Sequence, residues 1–207
     1  MTSKAITIAL PKGRLLDRVQ ELFSEKGYPF SFKDRKLVVS DPEGEFEFLA
    51  VKNTDLPTYI THGIAGIGVC GTDVIYESGH TFYELMGFPF GGTKMCLAAK
   101  KGTPLPPEGA KITVATKFTR FTRDYYHSIA TPVEIIKLNG SVELAPVLGL
   151  TKYIVDIVET GSTLKANNLE VLQALGETSV KMIANPAYYK IHYRKINKLV
   201  EILKEGM

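Results

Sequence analysis

The sequence predicts an α/β fold, on two observations. Short apolar runs with strand character alternate with segments whose apolar residues recur at helical spacing. Glycine and proline cluster at Pro89-Phe-Gly-Gly92 and at Thr103–Gly109. Repeated βα units of this kind build layered sheets with helices on their faces. In chain order, Ala5–Leu10 reads as a strand, and Leu15, Leu16, Val19, Leu22 and Phe23 mark one face of a helix that stops at Gly27. Lys36–Ser40 and Phe46–Val51 read as a hairpin around Asp41-Pro-Glu-Gly44. A helix at Leu56–Thr61, a strand at Ile67–Cys70 and a helix from Thr72 follow. Strands are expected at Lys94–Ala99, Ile112–Thr116, Val133–Leu138 and Ile154–Val158, with helices at Thr122–Ile129 and Val142–Leu148. A strand at Val180–Ala184 leads to a last helix, with Asn185 as N-cap, Pro186 in the first turn, and a stripe of His192, Ile196, Leu199, Val200 and Leu203.

Composition narrows the function classes. The chain has 207 residues, 44% of them hydrophobic, enough for one ordinary domain or two small ones. The formal net charge is only +3, and no Lys/Arg run is interleaved with aromatics, which argues against nucleic acid and is compatible with a small anionic ligand. No apolar stretch is long enough to span a bilayer, and no leader of the secretory type is seen at the start, so a soluble, cytoplasmic protein is expected. Cys70 and Cys96 lie inside apolar runs and read as buried thiols without metal spacing. The four histidines have no carboxylate or cysteine at ligand spacing and read as structural or surface residues. Gly66-Ile-Gly-Val-Cys-Gly71 matches the dinucleotide pattern, but its glycines lie within a strand instead of the loop after one, so that reading is set aside. No Walker A spacing is present.

The most informative segment is Asp156-Ile-Val-Glu-Thr-Gly-Ser-Thr-Leu164. An apolar strand carries Asp156 and opens into Glu159, Thr160, Gly161, Ser162 and Thr163, with a helix expected from Leu164. Glycine lets the backbone turn its amides inward and three hydroxyls flank it, so the loop suits a phosphate, while Asp156 is placed to accept from ribose hydroxyls. The plainer reading is a polar turn with Thr160 or Ser162 capping the helix. Elsewhere, Lys12, Gly13 and Arg14 lie between the first strand and first helix, where open α/β sheets gather ligands; alone they are equally a basic turn. Asp73 follows Gly71-Thr72 and is either a helix cap or a nucleotide contact. Glu143 falls in the first turn of a helix begun by Asn139-Gly-Ser141, where the dipole favours a carboxylate in any case.

The longer string Glu143, Gly149, Ile154-Val-Asp156-Ile, Thr160-Gly-Ser-Thr163-Leu164 resembles the signature of the ATP phosphoribosyltransferases, which carry out the first step of histidine biosynthesis. Ala9-Leu-Pro-Lys-Gly-Arg-Leu15, Asp55-Leu-Pro-Thr-Tyr59 and Gly71-Thr-Asp-Val-Ile75 follow that family's order, so the resemblance covers essentially the whole chain. It implies a two-lobed α/β fold similar to type II periplasmic binding proteins, with the active site in the interlobe cleft. Lobe I is then residues 1–90 plus 178–207, and lobe II is residues 91–177, with Pro89-Phe-Gly-Gly92 marking one crossing. The implied reaction joins the phosphoribosyl group of phosphoribosyl pyrophosphate to N1 of ATP. Asp156, Glu159, Thr160, Gly161, Ser162 and Thr163 are then the phosphoribosyl pyrophosphate site, Arg14 and Arg35 face the pyrophosphate, and Lys12, Gly13, Lys52, Asp73 and Glu143 meet the nucleotide. Magnesium is expected to be carried mainly by the substrate.

The sequence departs from that pattern at Thr151 and Lys152, which follow Gly149, and at Lys52, where an arginine is usual. An ammonium cannot make a guanidinium's bidentate phosphate contact. The short length resembles the form that works with a separate regulatory subunit similar to histidyl-tRNA synthetase, in a hetero-oligomer. A two-lobed binding module that closes on a phosphorylated ligand without chemistry is the second reading.

Overall fold

The computed structural model describes residues 5–205. It divides into two compact units, one of residues 1–91 and 179–207 and the other of residues 92–178. The sequence expectation had placed these divisions one residue earlier, at 90/91 and 177/178.

In the first unit, β1 (Ile6–Pro11) pairs in parallel with β3 (Phe46–Val51) and with β4 (Ile67–Gly71). β2 (Val38–Ser40) runs antiparallel on the far side of β3, and the C-terminal part of β9 (Leu169–Ala184) runs antiparallel to β4. β1 is buried almost throughout because sheet neighbours flank it and helices cover its faces, which is why it reads as a continuous apolar run. On one face α1 (Arg14–Glu25) buries Val19, Leu22 and Phe23, and α7 (Pro186–Lys204) buries Ile196, Leu199, Val200 and Leu203. Between them the Phe30 and Phe48 rings stack at 3.7 Å, and Phe23 meets Phe48 edge-on at 5.4 Å. On the other face α2 (Leu56–Thr61) and α3 (Thr72–Ser78) cover Ala9, Cys70 and Ile183.

α7 begins where its cap chemistry demands. The Asn185 side chain accepts from the N–H groups of Ala187 and Tyr188 at 2.9 and 3.0 Å, and its Nδ2 donates to the Ile60 carbonyl at 3.0 Å. His192 departs from the expected stripe: it has non-helical dihedrals (φ −112°, ψ 16°) at a kink, with its ring 4.3 Å from that of Tyr188.

In the second unit, β6 (Ile112–Thr116) lies between β7 (Val133–Lys137) and β8 (Tyr153–Val158), parallel to both, and β8 pairs antiparallel with the C-terminal half of β5 (Tyr83–Lys100). One face packs Met95, Leu97, Val114 and Val155 under α4 (Thr119–Ser128). The other packs Ala98, Ala115 and Ile154 under α5 (Leu144–Leu148) and α6 (Ser162–Ala166).

Four expectations need correction. β5 begins at Tyr83 and not at Lys94, so the crossing expected at Pro89–Gly92 runs within a strand, where Gly91 takes φ 73° at the division between units. β9 begins at Leu169 and not at Val180, because its first half is polar and partly exposed and lacks a continuous apolar signal. α6 starts at Ser162, two residues before the expected Leu164, with Gly161 (φ 74°, ψ 6°) at its N-cap in place of Thr160 or Ser162. α5 is shorter than expected, which leaves Glu143 at its N-cap position without a side-chain capping bond.

Candidate functional site

Parallel pairing puts the carboxyl ends of β1, β3 and β4 on the same edge of the first unit. Pro11 and Val51 are partners, and the Lys12 N–H continues the ladder by donating to the Val51 carbonyl at 3.0 Å. Lys12, Gly13 and Arg14 therefore leave β1 beside Lys52 leaving β3, all four exposed. Gly13 takes φ 107° and ψ −163°, a region open essentially to glycine alone, and a Cβ there would meet nothing within 4 Å. The residue type answers to backbone geometry and not to crowding.

Arg35 reaches the same edge by another route, since β2 runs antiparallel to β3. Asp34 and Arg35 take φ 53° and 59° in succession, and the Lys36 N–H closes the turn on the Lys33 carbonyl at 3.0 Å. Two non-glycine residues in the left-handed region each cost about 1–2 kcal/mol. The turn fixes where Arg35 leaves the backbone. Asp73, in the first turn of α3, follows β4 on this edge; the N-cap is Gly71, so the helix-cap reading of Asp73 does not hold.

Gly66-Ile-Gly-Val-Cys-Gly71 is explained by packing. A Cβ on Gly66 would lie 2.0 Å from the Tyr188 ring, and one on Gly68 would lie 2.7 Å from Ile60 Cδ1 and 3.0 Å from the Ala9 carbonyl oxygen. Cys70 is buried against this packing, which pushes its thiol far up from the ordinary range.

In the second unit the carboxyl ends of β6, β7 and β8 share an edge. The loop after β8 exposes Glu159 and Thr160, turns at Gly161, and enters α6 with Ser162 and Thr163 exposed. Thr160 Oγ1 and Ser162 Oγ lie 3.1 Å apart. α6 has only five residues, so its dipole is small and the loop's own N–H groups and hydroxyls are the donors that matter. A cavity of about 750 Å³ opens beside this loop, lined by Glu159, Thr160 and Gly161 together with Lys94, Lys165 and Thr178. Lys94 reaches it because its register partner on β8 is Val158, one residue before Glu159.

Asp156 sits deeper, two residues before the end of β8, with its side chain 14% exposed. Lys117, the residue after β6, places Nζ 3.3 Å from Asp156 Oδ1, and the Ile157 N–H donates to the same oxygen at 2.8 Å. Burial raises the carboxyl above its ordinary value; Lys117 and the Ile157 N–H pull it back and Glu143 adds to the rise. Glu143, half-buried at the start of α5, is thus brought to the Asp156 side of the sheet, as α6 is. The Cys96 thiol, directly opposite Asp156 on β5, is also raised by burial. Thr151 is occupied locally, donating from its hydroxyl to the Tyr153 carbonyl at 2.7 Å.

The structure therefore groups Lys12, Gly13, Arg14, Arg35, Lys52 and Asp73 on one edge of the first unit. It groups Glu143, Asp156 and Glu159 to Thr163 on one edge of the second. Lys94 and Lys117 were not found from the sequence. Lys117 was findable, since it directly follows a parallel strand, where ligands of α/β sheets gather. Lys94 was not, because it enters the site through an antiparallel register.

Polar and charged residues at the carboxyl ends of parallel strands define an α/β protein of the ligand-binding type. Comparison makes this specific. The profile of the HisG family, ATP phosphoribosyltransferase, matches residues 52–205. Proteins named ATP phosphoribosyltransferase from Caldicellulosiruptor saccharolyticus and Lachnospira eligens are 45% and 42% identical over 96% and 97% of this chain, and over 97% and 95% of their own lengths. The solved ATP phosphoribosyl transferase (HisG:HisZ) complex from Thermotoga maritima contains a chain 36% identical, with a TM-score of 0.83 over 97% of both chains. The periplasmic aliphatic sulphonate binding protein SsuA from Escherichia coli aligns with a TM-score of 0.64 over 99% of this chain and 72% of its own, at 12% identity, which shows shared fold alone. The chain belongs to the ATP phosphoribosyltransferase family.

Proposed function

We propose that the chain transfers the phosphoribosyl group of phosphoribosyl pyrophosphate to N1 of ATP, giving N1-(5-phosphoribosyl)-ATP and pyrophosphate, the first step of histidine biosynthesis in the cytoplasm. The observation that carries this reading is the hydroxyl-rich loop turned by Gly161, with a buried carboxylate two residues inside the strand that delivers it. That arrangement suits a sugar phosphate: Thr160, Gly161, Ser162 and Thr163 hold the 5-phosphate, and Asp156 accepts from the ribose hydroxyls. In the reaction the N1–C1 bond forms as the C1–oxygen bond to pyrophosphate breaks.

The adenine nitrogen brings its own lone pair, so the protein's work is alignment and charge compensation. Arg14 and Arg35 offset the charge that develops on pyrophosphate, and Lys12, Gly13, Lys52, Asp73 and Glu143 meet the nucleotide. Among the described residues no three His, Cys, Asp or Glu side chains group as a metal cage. Magnesium, in this reading, would be carried mainly by the substrate's own oxygens. When bound it activates the pyrophosphate as a leaving group.

The partner in this reading is a regulatory subunit resembling histidyl-tRNA synthetase, in a hetero-oligomer. The Thermotoga maritima relative, solved as a HisG:HisZ complex, supports it. Histidine feedback then resides in the partner. The test mixes purified chain, alone and with the partner, with ATP, phosphoribosyl pyrophosphate and magnesium, and follows phosphoribosyl-ATP absorbance. Product is expected, with histidine inhibition appearing only when the partner is present. No product in either sample overturns the transferase reading, and full inhibition of the chain alone overturns the assignment of feedback.

A further inference from the structure

Asp156 is held in a way its ribose role alone does not require. Both contacts to it among the described residues fall on one oxygen: Lys117 Nζ at 3.3 Å and the Ile157 N–H at 2.8 Å meet Oδ1. The Lys117 side chain is about one-third exposed, and its ammonium lies 4.9 Å from the Phe118 ring centroid. The two residues come from adjacent parallel strands, β8 and the end of β6, which are paired at Thr116 and Val155. Strand pairing therefore sets their separation, where two flexible surface side chains would have to find each other.

The surroundings of Asp156 are otherwise unfavourable to its charge. Asp156 is paired with Cys96 on β5, with Lys94 two residues along the same strand, and Glu143 at the start of α5 lies near enough to act on it. Burial and Glu143 both favour the protonated carboxyl, and Lys117 is the side chain that opposes them. A protonated carboxyl loses most of its strength as an acceptor for a diol.

We propose that Lys117 is a positioning residue for the ribose subsite: with the Ile157 N–H it holds Oδ1 of Asp156, so that Oδ2 is the oxygen left for the sugar hydroxyls. This rests on the ribose-binding role given to Asp156 above. Lys117 acts through Asp156 and needs no contact with the substrate.

The test compares the full chain with Lys117→Met, Lys117→Arg and Lys117→Gln, each checked by thermal melting. Aspartate side-chain carboxyls are labelled with ¹³C, the Asp156 signal is assigned with Asp156→Asn, and it is titrated in the absence of substrate. In parallel, kcat/KM for phosphoribosyl pyrophosphate is measured across pH. With Met or Gln, Asp156 is expected to titrate at higher pH, and the acid limb of kcat/KM to move up with it. The KM for phosphoribosyl pyrophosphate should rise on the order of tenfold, the fold-change that one hydrogen bond to a charged group is worth. Arg restores both. An unchanged Asp156 titration in Met and Gln variants that melt normally overturns the proposal even if the enzyme is active. Absence of turnover in the wild-type chain with its partner overturns the transferase reading instead, and the titration still decides whether Lys117 controls Asp156.

Discussion

Gly161 separates two reasons for a glycine in a ligand loop. Its φ of 74° and ψ of 6° lie in the left-handed region, and a Cβ built there meets only Val158 Cγ1, at 3.8 Å. Space inside the protein is therefore no constraint, and Gly161→Ala costs the fold only its backbone strain, about 1–2 kcal/mol. In a protein of this size each kcal/mol lowers Tm by about 2–4 °C, so the alanine variant should melt about 2–8 °C lower. Asparagine enters the left-handed region readily, so Gly161→Asn should lose less than about 1 kcal/mol. If the glycine also serves to let a phosphate approach the backbone, both variants raise the KM for phosphoribosyl pyrophosphate, and the larger asparagine raises it more. The assay pairs thermal unfolding with steady-state kinetics at saturating ATP. Stability should order as Gly, Asn, Ala and affinity as Gly, Ala, Asn. An asparagine variant as tight as wild type would refute the close-approach argument, and one that melts as low as alanine would refute the backbone argument.

Two further outcomes follow from the same geometry. Because burial raises the folded-state carboxyl of Asp156, the wild-type protein loses stability as pH climbs from the unfolded carboxyl value through the folded one. Asp156→Asn should thus melt higher than wild type near pH 7, the difference should shrink below about pH 4 where both carboxyl states are protonated, and activity should be lost; a variant that melts lower at neutral pH would reverse the sign. Gly66→Ala drives a Cβ into the Tyr188 ring at 2.0 Å, an overpacking of about 1–3 kcal/mol that calorimetry should register as a lower Tm. Adding Tyr188→Ala should recover part of that specific loss, and strict additivity of the two losses would show that the ring is not what the new methyl meets.

Most elements were legible where burial writes an uninterrupted apolar pattern. β1, β3, β4, β6 and β8 declare themselves, and Asn185-Pro186 announces α7 through capping chemistry that needs no tertiary information. The first halves of β5 and β9 did not, since Glu84, Gly87 and Pro89 in one and Glu170, Gln173 and Gly176 in the other break the periodicity that a covered strand shows. Backbone pairing can fix a strand whose side chains carry little pattern. The candidate site divides the same way. The loop from Glu159 to Thr163 is contiguous and was visible as a string. Lys117 and Asp156 lie far apart in the chain, and only the pairing of β6 with β8 makes them neighbours.

The first unit is assembled from both ends of the chain, with the whole second unit inserted between Gly91 and Ser179. Its core is incomplete until Val180, Met182, Ile196, Leu199 and Leu203 arrive to bury the apolar faces of β1, β3 and α1. On the ribosome, β4 waits for its partner β9 while the inserted unit, contiguous in sequence, closes first. The sequence separation of these contacts slows the first unit's folding, because the loop between its two segments must be closed before they meet. Truncation within α7 therefore removes core from the part of the protein that was made first.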